Sequence, residues 1–398
     1  MDQPATTVYL DHAATTPMLP EAIQAMAEHL GDVGNPSSLH AAGRSARRVV
    51  EESRERIAQA LGSRPGEVVF TSGGTESDNL AVKGIFWARR TEDPRRVRIL
   101  SSSVEHHAVL DALAWLETFA QARVELLPVD ASGAVEVAAL RAAVERDPAS
   151  VALVSVMSAN NEVGTLQPVA EVVAIAADHG IPVHTDAVQA LGQVPVDFGT
   201  LGVDALTLTG HKVGGPFGVG ALVLRREVAV TPLLHGGGQE RDIRSGTLDT
   251  PAIAGLARAV ELSVRHQAEH ALRVGRLRDD LVRGVQEQVP DALLNGDPVR
   301  RLPGNAHLTF PGCQGDSLLM LLDARGIACS TGSACSAGVP QPSHVLVAMG
   351  RSDDSARSSL RFSLGRTSTA QDVAALVAAI GPVVERARLS GSRAAVGR

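Results

Sequence analysis

The segment around Lys212 holds the residue with the clearest chemical potential in this sequence. Lys212 follows a β-rich run and His211, and it precedes Gly214 and Gly215. Glycines permit sharp turns and a close approach of the backbone to a ligand. A lysine at the exit of a strand can bond covalently to the carbonyl group of a substrate or cofactor. A lysine in a surface loop is the plainer alternative, and the segment alone leaves both open.

A second segment has the features of an anion-binding turn. The run Thr71–Ser77 leaves a predicted strand, turns through Gly73 and Gly74 and enters a predicted helix. Free backbone N–H groups at a helix start, together with hydroxyl groups, bind phosphate. The spacing matches neither a Walker A loop nor a GxGxxG fingerprint. A capped strand-to-helix turn without a ligand is therefore the alternative.

Asp186 adds a carboxylate at the carboxyl end of a third β-rich run. Ligands of open α/β sheets bind at these strand ends, although an aspartate there also serves as a helix N-cap. Pyridoxal 5'-phosphate (PLP) requires a lysine, a phosphate site and a carboxylate near its pyridine nitrogen, because the protonated ring withdraws electrons better. The three segments together predict a PLP site.

The elements that position these residues indicate an α/β unit. Strands and helices alternate between residues 67 and 225, which is typical of a mainly parallel sheet flanked by helices. The predicted helices include Glu76–Arg89, His107–Phe119 and Val169–His179. The predicted strands are Val68–Thr71, Val97–Ser101, Val124–Leu127, Val151–Val156, Ile181–Thr185, Ala205–Thr209 and Val219–Leu224.

After residue 250 the pattern changes to α+β. A long helical stretch from Thr250 to about Gln288 is followed by strands near Ala306–Phe310 and Ser359–Ser363. Helices are predicted near Asp316–Ala324, Ser343–Met349 and Ala370–Arg388, with a flexible tail beyond them. We therefore expect a large PLP-binding domain over residues 16–262. Residues 1–15 and 263–398 are expected to form the smaller domain.

The bulk composition excludes several classes of protein. The 398 residues carry a net charge of −7, which argues against a general nucleic-acid binder. The three cysteines show no zinc or disulfide spacing, so we expect no metal site and a reducing compartment. No signal peptide or membrane-spanning run is evident. The sequence predicts a cytoplasmic protein that binds neither membrane nor nucleic acid directly.

Ten motifs in order along the chain resemble those of the cysteine desulfurases, a family of class-V aminotransferases. The motifs are YLDHAATTP (9–17), GNPSSLH (34–40), TSGGTESDNLAVKG (71–84), EHHAVL (105–110), NNEVGTLQP (160–168), HTDAVQALG (184–192), GHKVGGPFGVG (210–220), RSGT (244–247), STGSACSAG (330–338) and RFSLGR (361–366). The resemblance implies PLP fold type I. It also implies that Lys212 holds PLP and moves protons at the substrate Cα, that Asp186 pairs with the ring nitrogen, that Gln189 contacts the ring hydroxyl and that His106 stacks on the ring as an acid/base.

The resemblance implies further binding residues. Asn161 and Arg361 match the pair that recognises the substrate, and Asn161 also contacts the cofactor. Arginine suits a carboxylate because its planar fork bonds bidentately. Thr247 matches a threonine that reaches the phosphate from the other protomer, which predicts a homodimer. The remaining phosphate contacts are Gly74, Thr75, Thr209 and His211.

Cys335 lies in a run of small residues, Ser330–Gly338. Such a loop suits a nucleophile that attacks substrate sulfur and then presents its cargo elsewhere. The GSAC form resembles the longer-loop class of the family. It implies a persulfide on Cys335, whereas Cys329 is predicted to be a packed strand cysteine and Cys313 has no assigned role.

The predicted activity is conversion of L-cysteine to L-alanine, with transfer of the sulfur to an acceptor such as an iron–sulfur scaffold protein or other thio-compounds. Three alternatives stay open: a selenocysteine lyase, another class-V reaction such as transamination, and a non-catalytic sulfur-transfer scaffold. The last would have no chemical need for Lys212, Asp186, His106 and Cys335 together.

Overall fold

A computed structural model describes residues 8–332 and 342–396, with residues 390–396 as backbone only. Cys335 lies outside the described residues. The strands are β1 (Val8–Tyr9), β2 (Val68–Thr71), β3 (Arg98–Ser102), β4 (Arg123–Leu127), β5 (Val151–Ser155), β6 (Val183–Asp186), β7 (Ala205–Thr209), β8 (Gly220–Leu224), β9 (Leu293–Leu294), β10 (Asn305–Thr309), β11 (Ile327–Ala328) and β12 (Ser359–Ser363). The helices are α1 (Pro20–Ala27), α2 (Ala41–Leu61), α3 (Gly74–Glu92), α4 (His107–Ala120), α5 (Val137–Arg146), α6 (Val169–Ala177), α7 (Phe198–Leu201), α8 (Thr250–Arg265), α9 (Gln267–Gln288), α10 (Gly315–Asp323), α11 (His344–Ala348), α12 (Asp353–Arg357) and α13 (Ala370–Val396).

Seven strands form a mixed, mostly parallel sheet in the order β2-β8-β7-β6-β5-β3-β4. Strand β8 runs antiparallel to both of its neighbours, and the other pairs are parallel. The predicted α/β class and the seven predicted strands are confirmed, with shifts of a residue or two at their ends. The apolar runs identified six of these strands because strands buried on both faces read as continuous hydrophobic segments, whereas the edge strand β4 is largely exposed.

Alternate residues of the strands enter two different cores. Phe70, Leu100 and Val154 belong to a cluster with α2, α6 and α8. Val69 and Ile99 belong to a separate cluster with α3 and α4. Successive side chains of a strand point to opposite faces, so the sheet has helices packed on both sides. This sandwich fixes the carboxyl ends of the parallel strands, where the candidate site lies.

A third core lies around the antiparallel sheet β12-β10-β9. It contains apolar residues of α9, α10 and α13, and Leu10 joins it because β1 pairs in parallel with β11. The proposed boundary near residue 262, with residues 1–15 in the smaller domain, stays a prediction. The separate third core and the position of β1 support it.

Two predictions about helices differ from the structure. The stretch Thr250–Gln288 is two helices that meet at His266, because α8 packs on α1 and α2 whereas α9 packs on α13. The last helix continues as far as Val396 instead of ending at Arg388. Leu389, Ala394 and Ala395 favour helix, so composition alone did not identify a tail here. Within the described ranges, no helix has the length and hydropathy needed to span a membrane.

Candidate active site

A cavity of about 360 Å³ at the strand ends brings together most of the predicted site residues. Thr247 is exposed and does not line this cavity in its own chain. Cys335 is outside the described residues, although Ser330 and Gly332, which precede it, line the wall. The predicted residues that line the cavity are Gly74, Thr75, His106, Asn161, Asp186, Gln189, Thr209, His211, Lys212 and Arg361.

Lys212 ends a 3₁₀ turn, Gly210–Lys212, that follows β7. Glycine is required at position 210 because an added Cβ would lie 2.4 Å from the carbonyl oxygen of Pro216. The ammonium Nζ donates to the carbonyl oxygens of Ala13 at 2.5 Å and Ala14 at 2.8 Å. Burial lowers the pKa of Lys212 to about 8, and Arg361 adds to the effect. The neutral amine is therefore far more accessible near neutral pH than that of an exposed lysine.

Asp186 ends β6, and its Oδ1 accepts a hydrogen bond from the Val188 N–H at 2.8 Å. It thus holds the following turn as well as facing the cavity. Burial raises the pKa of Asp186, although Lys212 partly opposes this. Asp78 lies beside it and its pKa is also raised, first by burial and then by repulsion from Asp186. Two buried carboxyls at one wall favour a cationic group against Asp186.

The anion-binding turn is formed by the end of β2 and the start of α3. Gly73 has φ +151°, and an added Cβ on Gly74 would lie 3.1 Å from Val188 Cγ2. The first N–H groups of a helix have no partner within the helix, so those of Gly74 and Thr75 are available to an anion. Thr209 and His211 line the same cavity and lie at the end of β7 and in the turn after it.

His106 is the N-cap of α4, and its ring is open to the cavity. Its Nδ1 accepts from the Ala108 N–H at 3.1 Å, which leaves the proton of the neutral ring on Nε2. The protein around the ring disfavours its charged form and Lys212 repels it, so the pKa of His106 is lowered to about 4. A neutral ring at this position can stack on a flat ligand.

Arg361, in β12, faces the cavity from the third core. Its Nη1 donates to the Asn161 carbonyl oxygen and its Nη2 donates to Asp11 Oδ1, both at 2.9 Å. The buried Nε has no hydrogen-bond partner among the described residues. The guanidinium is held in place and retains a donor for a carboxylate ligand.

Sequence reasoning assigned no role to Asp11 or Asp78. Both lie inside recognised motifs, YLDHAATTP and TSGGTESDNL, and that was the available signal. Their functions depend on contacts with Arg361 and Asp186, which are far away in the sequence.

Comparisons with known proteins agree with this geometry. Residues 8–376 match the family model of Aminotransferase class-V. The chain is 58% identical over 388 residues to an IscS-like cysteine desulfurase of Mycobacterium tuberculosis, covering 97% of this chain and 98% of that protein. It is 45% identical over 382 residues to the cysteine desulfurase IscS of Methanosarcina thermophila, with 96% and 93% covered.

A solved NifS-like protein superposes with a TM-score of 0.88 at 36% identity, covering 96% of this chain and all of the other. Family model, relatives and solved structure thus agree over nearly the whole length. The chain therefore belongs to the cysteine desulfurases of the class-V aminotransferase family.

Proposed function

We propose that this enzyme converts L-cysteine to L-alanine and holds the removed sulfur as a persulfide on Cys335. The observation that carries this proposal is the convergence of Lys212, Asp186, His106 and Arg361 on one cavity. A lysine amine, a carboxylate, a ring and a carboxylate-binding arginine are the groups that an amino-acid reaction with PLP requires. The family of its relatives supports the same reaction.

The cavity has the chemical features that PLP needs. Lys212 would hold the cofactor covalently, and the buried carboxylate of Asp186 would gain a counterion by pairing with a cationic ring nitrogen. His106 would stack on the ring and Gln189 would meet its hydroxyl, while Asn161 completes the wall. The phosphate would take the turn that glycines keep free of side chains, with donors from Gly74, Thr75, Thr209 and His211. When bound, PLP supplies an electron sink for the carbanion at the substrate Cα.

Arg361 orients the substrate in this proposal. The substrate carboxylate bonds to the guanidinium that Asp11 and Asn161 hold in place. The substrate Cα then faces Lys212, whose lowered pKa makes its amine a competent base for the Cα proton near neutral pH.

Cys335 completes the reaction. Its thiolate bonds to the sulfur of L-cysteine, and the bond between that sulfur and Cβ breaks. The electron pair stays on the three-carbon fragment, which takes up protons and leaves as L-alanine. The sulfur then passes to an acceptor protein, for which an iron–sulfur scaffold is the proposed class.

We further propose a homodimer in which Thr247 reaches the phosphate site of the second protomer. Thr247 is exposed in its own chain and lies outside its own cavity, which supports a role across an interface. Sedimentation equilibrium tests this assembly, and a monomeric native chain would reject it.

The test of function compares the native chain with Cys335→Ala in L-cysteine, PLP and a reductant. We expect equimolar L-alanine and sulfide from the native chain and neither from the variant. Cys313→Ala is the control, because Cys313 is buried away from the cavity. A native chain that binds PLP but forms no alanine would refute the proposal. If Cys335→Ala were as active as the native chain on selenocysteine but inactive on L-cysteine, the selenocysteine lyase would be favoured.

A further inference from the structure

Residues 238–247 form a turn that is bonded to the anion-binding turn of the same chain. We infer that Arg244 is a positioning residue that sets the place of Thr247 through an ion pair with Glu76. Glu76 lies in the first turn of α3, directly after Gly74 and Thr75. The inference rests on the proposed function, since it takes PLP as the ligand and the second protomer as the recipient of Thr247.

The turn begins from an anchor on the edge of the large sheet. Glu240 is buried, and its Oε1 accepts from Arg54 Nη2 at 2.7 Å. Its Oε2 accepts from the Phe70 N–H at 2.8 Å, while Arg54 Nη1 donates to the Val68 carbonyl oxygen at 2.6 Å. Strand β2 is an edge strand, so Glu240 and Arg54 take the place of a neighbouring strand there. The start of the turn is therefore fixed to the strand that leads into the anion-binding turn.

The backbone of the turn is strained. Arg241 and Asp242 have φ +54° and +59°, although neither is glycine. Glu240 and Arg244 close the turn, with the Glu240 N–H donating to the Arg244 carbonyl oxygen at 3.0 Å. Residues other than glycine rarely adopt two consecutive left-handed conformations. Such strain persists only where contacts with the surrounding structure stabilise it. The Glu240 anchor and the Arg244 ion pair hold this one from both ends.

Arg244 makes a bidentate contact with Glu76. Its Nε donates to Oε1 at 2.8 Å and its Nη2 donates to Oε2 at 3.2 Å, and both side chains are largely buried. Glu76 Oε2 also accepts from the Ser72 N–H at 2.8 Å. Burial alone would raise the pKa of Glu76, but the hydrogen bonds from Arg244 and Ser72 outweigh it and lower the pKa. The guanidinium and the Ser72 N–H thus fix the Glu76 carboxylate at the start of α3.

Hydrogen bonds within the turn fix the position of Thr247 relative to Arg244. The Gly246 N–H donates to Gln239 Oε1 at 2.8 Å, and the Gly238 N–H donates to Ser245 Oγ at 3.1 Å. These bonds leave little freedom between the ion pair and the exposed Thr247. One ion pair thus connects the phosphate turn of one protomer to the residue that serves the phosphate of the other.

The test is the rate at which the full-length holoprotein loses PLP after a chase into cofactor-free buffer. We expect Arg244→Gln and Thr247→Ala each to speed this loss about tenfold, as for one charge-assisted hydrogen bond. The double variant should lose PLP no more than about twofold faster than Thr247→Ala, because both changes remove the same contact. Arg258→Gln is the control, since its ion pair with Glu261 is also partly buried and lies on α8.

Additive effects in the double variant, or an unchanged rate in Arg244→Gln, would overturn the inference. A monomeric Arg244→Gln variant would also overturn it, because the residue would then belong to the interface itself. If Arg244→Gln does not fold, Glu76→Gln removes the same pair and is measured in its place. Alanine formation by the native chain tests the proposed function separately, so an active native chain with additive variants rejects this inference alone.

Discussion

At the scale of single residues, the guanidinium of Arg361 is fixed before any substrate arrives. Asp11 and the Asn161 carbonyl hold two of its nitrogens at 2.9 Å. Lysine has one compact charged group and cannot keep both contacts and also bond a carboxylate bidentately. We expect Arg361→Lys to raise KM for L-cysteine roughly tenfold to a hundredfold, with a smaller change in kcat. Steady-state alanine formation gives both constants.

Arg366→Lys is the control for this substitution. Arg366 is exposed and its Nη2 donates to the Pro17 carbonyl oxygen at 3.1 Å. Its replacement should leave KM unchanged. If Arg361→Lys matched the native KM, Arg361 would not bind the substrate carboxylate.

Glu105 predicts a pH dependence of stability. Burial raises the pKa of Glu105 to about 8, and repulsion from Asp186 adds to the rise. The hydrogen bond from the Met157 N–H lowers the pKa but does not offset the effect of burial. The ordinary value is 4.5, so between about pH 4.5 and 8 the unfolded chain loses this proton while the folded chain keeps it. Glu105 therefore costs stability as the pH rises through that window, on the order of 5 kcal/mol in full.

Glu105→Gln should remove this dependence, because an amide stays neutral at every pH in the window. Thermal unfolding midpoints at pH 5 and pH 8 check it: the variant should gain relative to the native chain at pH 8. Glu227→Gln, at an exposed position, is the control. A constant difference between native chain and variant at both pH values would contradict the prediction.

At the scale of elements, the turn after β5 that carries Asn161 depends on Gly164. Its φ is +82°, and an added Cβ would lie 2.8 Å from Asn305 Cγ. Gly180 also has positive φ, +60°, but an added Cβ there meets nothing within 4 Å. We expect Gly164→Ala to cost about 3 kcal/mol and Gly180→Ala about 1 kcal/mol, since only the first adds a clash to backbone strain.

Urea unfolding of the two variants measures this difference. Gly164→Ala should also lower alanine formation, because the turn places the Asn161 carbonyl against Arg361. Equal losses of stability in the two variants would show that the steric contact with Asn305 carries no energy.

The local sequence pattern predicted best those elements that are buried on all sides. Strands β2, β3 and β5–β8 are buried on both faces, so their apolar runs were sufficient. The break between α8 and α9 at His266 was missed, because the helical pattern continues through it and only the different packing partners separate the two halves. The pairing of β1 with β11 was missed for a related reason, since two-residue strands give no periodic signal.

The site residues could likewise be predicted from the residues alone only where a local sequence pattern marks them. Lys212, Asp186 and the turn at Gly73 and Gly74 follow from types and positions at strand ends. His106, Asn161 and Arg361 required the family resemblance, because nothing local distinguishes them. The tether between Asp11 and Arg361 spans almost the whole chain, and no local pattern reports such a contact.

At the scale of the whole molecule, the cavity joins residues from two different sheets. Lys212, Asp186 and His106 come from the seven-stranded sheet and its helices, whereas Arg361 comes from the antiparallel sheet. Asp11, which follows β1, contacts Arg361 next to the segment Ala13–Ala14 that receives Lys212. The segment of residues 11–14 is thus a physical link between the substrate-binding arginine and the candidate cofactor lysine.

The burial of two of the three cysteines allows the reactive thiols of the folded enzyme to be counted by alkylation. Cys313 and Cys329 are both buried, and burial raises the pKa of each thiol, to about 12 for Cys329. Alkylating reagents attack thiolates, so these two thiols should stay silent in the folded chain. Of the three cysteines, one should then be alkylated in the native state and three after unfolding, as intact mass spectrometry would count. A second label on the folded chain would contradict this. If only one label is added, the extra mass of the unmodified protein counts the sulfur atoms that each molecule carries on that one reactive thiol.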